Sequence, residues 1–104
     1  MLEIERLADM LEAADIPFGR RNEDLKSAIM NFFHCKINYP DTYETTDIVC
    51  SIIQGTYTYG GLENKLEIKG LLTEEEKEND DVCGWLTAED VFERIKAHWE
   101  TVKD

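Results

Sequence analysis

The stretch Leu62-Glu63-Asn64-Lys65-Leu66-Glu67-Ile68-Lys69-Gly70-Leu71-Leu72 decides the fold class. Leu62, Asn64, Leu66, Ile68, Gly70 and Leu72 share one parity. Glu63, Lys65, Glu67 and Lys69 fill the other, and Leu71 alone breaks the alternation. Two is the side-chain period of a β-strand, so the spacing predicts a strand over 62–72 with one buried and one wet face. Upstream, Gly60-Gly61 supplies the positive φ angles of a tight turn. Before it, residues 48–53 are apolar on both parities, Ile48, Cys50 and Ile52 against Val49 and Ile53, as expected of a central or covered strand. Continued to Tyr59, this strand places Tyr57 and Tyr59 on the Val49/Ile53 side. Residues 48–72 therefore read as one long β-hairpin.

Working outward, Phe33, Cys35, Ile37 and Tyr39 alternate with Phe32, His34, Lys36 and Asn38, which predicts a strand ending at Pro40. Residues 18–21 read as a short extended piece. Residues 22–30, with Leu25, Ile29 and Met30, suit a helical turn or two. Residues 2–14 read as an amphipathic helix. Ile4, Leu7, Ala8, Leu11 and Ala14 form its apolar stripe, with Met10 beside it. Glu3, Glu5, Arg6, Asp9 and Glu12 take the wetter positions, and Pro17 forces Ile16 out of helical angles. Beyond the hairpin, Thr73 and Glu76 have capping-box spacing, so 74–78 is expected to form a helical turn. Residues 82–86 read as a short strand. Thr87 is an N-cap for a final helix with Glu89 and Asp90 in its first turn, and Val91, Phe92, Ile95, Trp99 and Val102 as its buried stripe. The sum is an α+β domain: an antiparallel sheet of three to four strands, with an N-terminal and a C-terminal amphipathic helix packed on one face.

A chain of 104 residues with 42% hydrophobic residues is expected to form one domain, 1–104, around one core. Its 23 acidic and 11 basic side chains leave a formal charge of −12. That charge disfavours direct contact with nucleic acid or anionic membrane and favours a partner with a basic surface. No run approaches the ~20 apolar residues that span a bilayer. Cys35, Cys50 and Cys83 are an odd count without close spacing, and residues 1–14 carry charges where a secretory leader has an apolar core. A cytoplasmic protein with reduced thiols is expected.

No metal and no cofactor is expected. His34 and Cys35 are adjacent and would fall on opposite strand faces, and Cys50 and Cys83 stand alone. The three cysteines read as small hydrophobes. His98, beside Trp99, reads as a surface or edge residue. Ser27 and Ser51 lie in no nucleophile context, so no catalytic residue is assigned and no enzyme activity is expected. Two binding surfaces remain. The segment 74–93 gathers Glu74, Glu75, Glu76, Glu78, Asp80, Asp81, Glu89, Asp90 and Glu93 around Lys77, an acidic stripe suited to a basic partner. Alternatively, Tyr57 and Tyr59 offer stacking surfaces at the hairpin tip, while Arg20 and Arg21, with Lys36 or Lys69, could meet phosphate or carboxylate.

Two segments carry a resemblance. Tyr59-Gly60-Gly61 followed by Leu66-Glu67-Ile68-Lys69-Gly70-Leu71-Leu72-Thr73 is one, and Val82-Cys83-Gly84-Trp85-Leu86-Thr87-Ala88-Glu89-Asp90-Val91-Phe92-Glu93-Arg94-Ile95 is the other. Together they resemble small uncharacterised phage and prophage proteins of gut Firmicutes, which implies a bacterial cytoplasm under phage control. The leading expectation is a non-enzymatic acidic binding protein that inhibits a host-defence or nucleic-acid enzyme through the 74–93 surface. The alternatives are a protein that binds or sequesters a nucleotide immune signal, and a structural or assembly subunit with Phe32, Tyr57 or Trp85 at a homo-oligomeric contact.

Overall fold

The computed structural model describes residues 2–23, 26–27, 30–31, 34–40, 48–55 and 63–102. The first helix, α1, spans Glu3–Ala13 and buries Ile4, Leu7, Ala8 and Leu11. It ends one residue early for Ala14, which is the exposed C-cap. Asp15 takes the left-handed conformation (φ 57°), and the N–H groups of Asp15 and Ile16 donate to the carbonyls of Glu12 and Leu11. This is a Schellman closure, sealed by contact within the same core of buried Leu11 and Ile16.

Strands β1 (Gly19–Glu23), β2 (Lys26–Ser27), β3 (Met30–Asn31) and β4 (His34–Tyr39) follow. β1 pairs with β4 and β2 with β3, both antiparallel. Glu23 lies opposite His34, and three residues further on Lys26 lies opposite Asn31, so both ladders keep one register. Of the stretch 22–30, where a helical turn is expected, the described residues 22–23, 26–27 and 30 are β structure. Apolar spacing over so few residues does not separate helix from strand, and cross-strand pairing decides it. Leu25, Ile29, Phe32 and Phe33 lie outside the described residues.

Next come β5 (Cys50–Gly55), β6 (Leu66–Lys69), helix α2 (Glu74–Asn79), β7 (Val82–Leu86) and helix α3 (Ala88–Val102). The main sheet has five strands, ordered β1-β4-β5-β6-β7, each antiparallel to its neighbour. It exceeds the expected three to four strands because 19–23 joins as an edge. Ile37, Ile52 and Ile68 form one cross-strand row, Tyr39 lies opposite Cys50, and all five are buried. α1 packs on β4 and β5, α3 packs on β6, and the helices pack on each other over this face. Each fully buried isoleucine or leucine contributes roughly 1.5–3 kcal/mol. The opposite parity, including Lys36, Asn38, Ser51, Ile53 and Glu67, is only half-buried, so β5 is central in the sheet but covered on one face alone. Ile48, expected inside, is 41% exposed and precedes the strand. On α3, Ala88, Val91 and Ile95 are buried, Phe92 and Trp99 half-buried, and Val102, at the last turn beyond the sheet contacts, is exposed.

The 62–72 strand is shorter than its alternation predicts. Leu62, the Gly60-Gly61 turn, Tyr57 and Tyr59 lie outside the described residues. Within the rest, Asn64 (φ 58°), Gly70 (φ 95°) and Leu71 (φ 56°) are left-handed and confine the strand to Leu66–Lys69. Asn64 has a structural task. Leu2, the N-cap of α1, gives no side-chain hydrogen bond. Asn64 Oδ1 accepts from Glu3 N–H (2.9 Å), and Gln54 Oε1 accepts from Ile4 N–H (3.0 Å). Gln54 Nε2 donates to Asn64 Oδ1 at 2.8 Å, joining the two caps. Glu3, expected on the wet face, is buried because Oε2 accepts from Ala88 N–H (2.7 Å) at the start of α3, while Oε1 pairs with Arg6 (2.6 Å). The sheet thus caps α1, and α1 caps α3.

Gly70 closes the bend after β6. A Cβ there would sit 2.1 Å from the Val49 carbonyl oxygen. Gly70→Ala combines this clash with an unfavourable φ and is expected to cost more than about 2 kcal/mol. Urea denaturation measures it, and a change within about 0.5 kcal/mol would contradict the close approach.

Candidate functional site

The acidic segment divides into groups that hold the fold and groups left to solvent. Glu76 belongs to the first. Thr73 caps α2 through the predicted capping box: Glu76 N–H donates to Thr73 Oγ1 (3.2 Å), and Thr73 N–H donates to Glu76 Oε1 (2.8 Å). The same carboxylate takes a two-pronged ion pair from Arg94 of α3, at 2.6 and 2.8 Å, and the Cys83 thiol of β7 at 3.2 Å. Arg94 also donates to the Leu71 carbonyl (3.1 Å). One carboxylate therefore ties the bend, α2, β7 and α3 together. The Arg94 guanidinium holds the Glu76 carboxyl pKa down to about 2, against the upward push of burial. Glu89 pairs with Arg6 across the α1–α3 contact. Asp90 Oδ2 accepts from Thr87 N–H (3.1 Å) and Asp90 N–H donates to Thr87 Oγ1 (3.2 Å), completing the cap predicted at Thr87.

Glu74, Glu75, Glu78, Asp80, Asp81 and Glu93 are exposed. Glu74, Glu75 and Glu78 are neighbours at helical spacing on α2, relieved by one long contact between Glu74 and Lys77 (3.6 Å). Asp80 and Asp81 lead into β7, which forms an edge of the sheet and packs against α2.

β7 carries an aromatic residue that the periodicity did not mark as a site. Leu66 lies opposite Leu86 and Ile68 opposite Cys83, so Gly84 and Trp85 together face the single residue Glu67. This is a β-bulge. Trp85 sits in it with φ 64° and 57% of its surface exposed. A bulky side chain in the left-handed region costs roughly 1–3 kcal/mol, and such strain gathers at functional positions. The signal available in the sequence was a tryptophan after glycine in a short strand flanked by acidic residues.

The other predicted groups are placed differently. Arg20 is exposed on β1, opposite Ile37, and Arg21 lies opposite Lys36. Tyr57 and Tyr59 are outside the described residues. His98 is half-buried rather than free at the surface: its Nδ1 shares a 2.7 Å hydrogen bond with the Tyr39 hydroxyl, and the rings meet edge to face at 5.5 Å. Burial pushes the Cys50 thiol up to about 12, and burial with the adjacent Glu76 raises Cys83, both away from thiolate formation. Among the described residues, no group of three His, Cys, Asp or Glu side chains gathers to hold a metal. Nor is any helix among them long and apolar enough to cross a membrane. Comparisons with protein-family models, curated proteins and solved structures find no match to this chain.

Glu76 sets an acid limit on this region. Its folded value lies below the ordinary 4.5, so its contribution is fully present above 4.5 and disappears as pH falls toward 2. With the side chain about a quarter exposed, roughly 2 kcal/mol of the linkage survives solvent screening. Glu76→Gln is expected to be less stable than the parent by about that amount at neutral pH, with the gap closing near pH 2. Chemical denaturation across this range measures the gap, and a pH-independent gap would contradict the Arg94 pairing.

Proposed function

We propose that this protein is a non-enzymatic binding protein whose α2–β7 surface engages a basic face of a protein partner. Trp85 is the anchor, and Glu74, Glu75, Glu78, Asp80 and Asp81 form the acidic rim. The observation that carries the reading is Trp85 itself, exposed on an edge strand and held in a strained backbone by a bulge. Tryptophan is enriched among residues that dominate interface energy, and charges around such an anchor steer approach and choose the partner. The net charge of −12 adds a long-range field of the same sign. The resemblance to phage and prophage proteins extends the proposal to a host-cell setting. In it the protein acts in the bacterial cytoplasm and blocks a defence or nucleic-acid enzyme by occupying its basic surface.

Trp85→Gly separates function from stability. Glycine accepts the left-handed angle, so the variant is expected to match the parent in stability or exceed it by up to about 1 kcal/mol. Host proteins retained by the immobilised parent at about 50 mM salt should be lost from Trp85→Gly and from a variant with Glu75, Glu78 and Asp81 changed to Lys. They should also be released from the parent at about 500 mM salt. A destabilisation above about 2 kcal/mol in Trp85→Gly would make Trp85 a packing residue. Retention indifferent to salt and to both variants would remove the proposal.

A further inference from the structure

The open face of the sheet holds a concavity of about 630 Å³, on the side away from α1 and α3. Its volume falls within the roughly 300–1,000 Å³ of small-molecule sites. Lys36 from β4, Lys69 from the end of β6 and Lys77 from α2 line it, together with Val49 and Leu72 as apolar wall and with Asp80 and Asp81. Three of only 11 basic side chains gather here in a chain of net charge −12. Among the described residues Lys36 and Lys69 have no ion pair, and Lys77 has only the exposed 3.6 Å contact with Glu74. On the same face Asn38, Ser51 and Lys69 form one cross-strand row.

We infer that this concavity binds a phosphorylated small molecule of about mononucleotide size. The lysine ammonium groups are mobile point charges that meet phosphate oxygens, while Val49 and Leu72 cover the apolar or planar part of the ligand. Asp80 and Asp81 also line the concavity and oppose further negative charge, which favours a ligand with only one or two phosphates. The overall charge excludes a long polyanion by repulsion over many contacts, whereas a ligand with one or two phosphates meets chiefly the local lysines. This site shares Asp80 and Asp81 with the acidic surface proposed above, but it takes no residue of β7 and does not require a protein partner.

The test is a two-dimensional amide NMR titration of the whole chain with inorganic pyrophosphate, AMP and adenosine. Saturable shifts of the Ser51, Lys69 and Gly70 amides are expected with pyrophosphate and AMP, and binding of adenosine at least about tenfold weaker than AMP. The exposed or half-exposed lysines allow a Lys36→Ala, Lys69→Ala double variant. It should keep the parent's dispersed core resonances, including Ile52, and bind AMP at least about tenfold more weakly. Absence of shifts at these amides with both phosphate compounds, or parent-like AMP affinity in the double variant, would overturn the inference.

Discussion

The fold depends on the hydrogen bonds that Gln54 and Asn64 accept from the first N–H groups of α1. A helix begins with N–H groups that lack partners in the helix itself, and Leu2 offers none. Buried Gln54 on the central strand and Asn64 before β6 satisfy two of them from the sheet side. Glu3 then reaches the first N–H of α3. Three elements distant in sequence are thereby fixed in direction as well as in contact. Apolar burial of Ile4, Leu7, Ile37, Ile52 and Ile68 supplies most of the cohesion, but burial is non-directional. The polar junction sets the angle at which the helices meet the sheet.

A second junction of the same kind organises the opposite end. Glu76 receives Arg94, Thr73 and Cys83, and through Arg94 it fixes the bend at Leu71. The acidic segment is thus two populations. Glu76, Glu89 and Asp90 answer internal donors, whereas the other carboxylates of α2, Glu74, Glu75 and Glu78, and those of the turn into β7 face water. The same junctions hold two surfaces of opposite character. One is the acidic edge with Trp85, and the other is the lysine-lined concavity on the open sheet face.

Much of this was legible in the sequence. Period-two alternation around Leu66 and Ile68, helical spacing from Ile4 to Leu11, and the caps at Thr73 and Thr87 all appear at their predicted places. The exceptions in the patterns were informative in a way that periodicity does not decode. Asn64 and Gly70 stand on the apolar parity of 62–72, and with Leu71 they are the residues with left-handed backbones that bound β6. Gln54 continues the parity of Cys50 and Ile52 and is buried like them, but as a cap for a helix fifty residues earlier. Such long-range polar partners leave no local spacing. Trp85 was visible as a residue, yet its exposure follows from a bulge that arises only when β7 pairs with β6. The lysine concavity depends on strand order, because Lys36, Lys69 and Lys77 are brought together by three different elements.

Native-state amide hydrogen exchange tests the central claim most directly. N–H groups in the first turn of a helix normally exchange by local fraying. If Gln54 and Glu3 lock the two helix starts to the core, the amides of Ile4 and Ala88 will exchange only through global opening, with the same free energy as Ile52. Exchange of Ile4 and Ala88 at frayed-end rates, while Ile52 stays protected, would contradict the account.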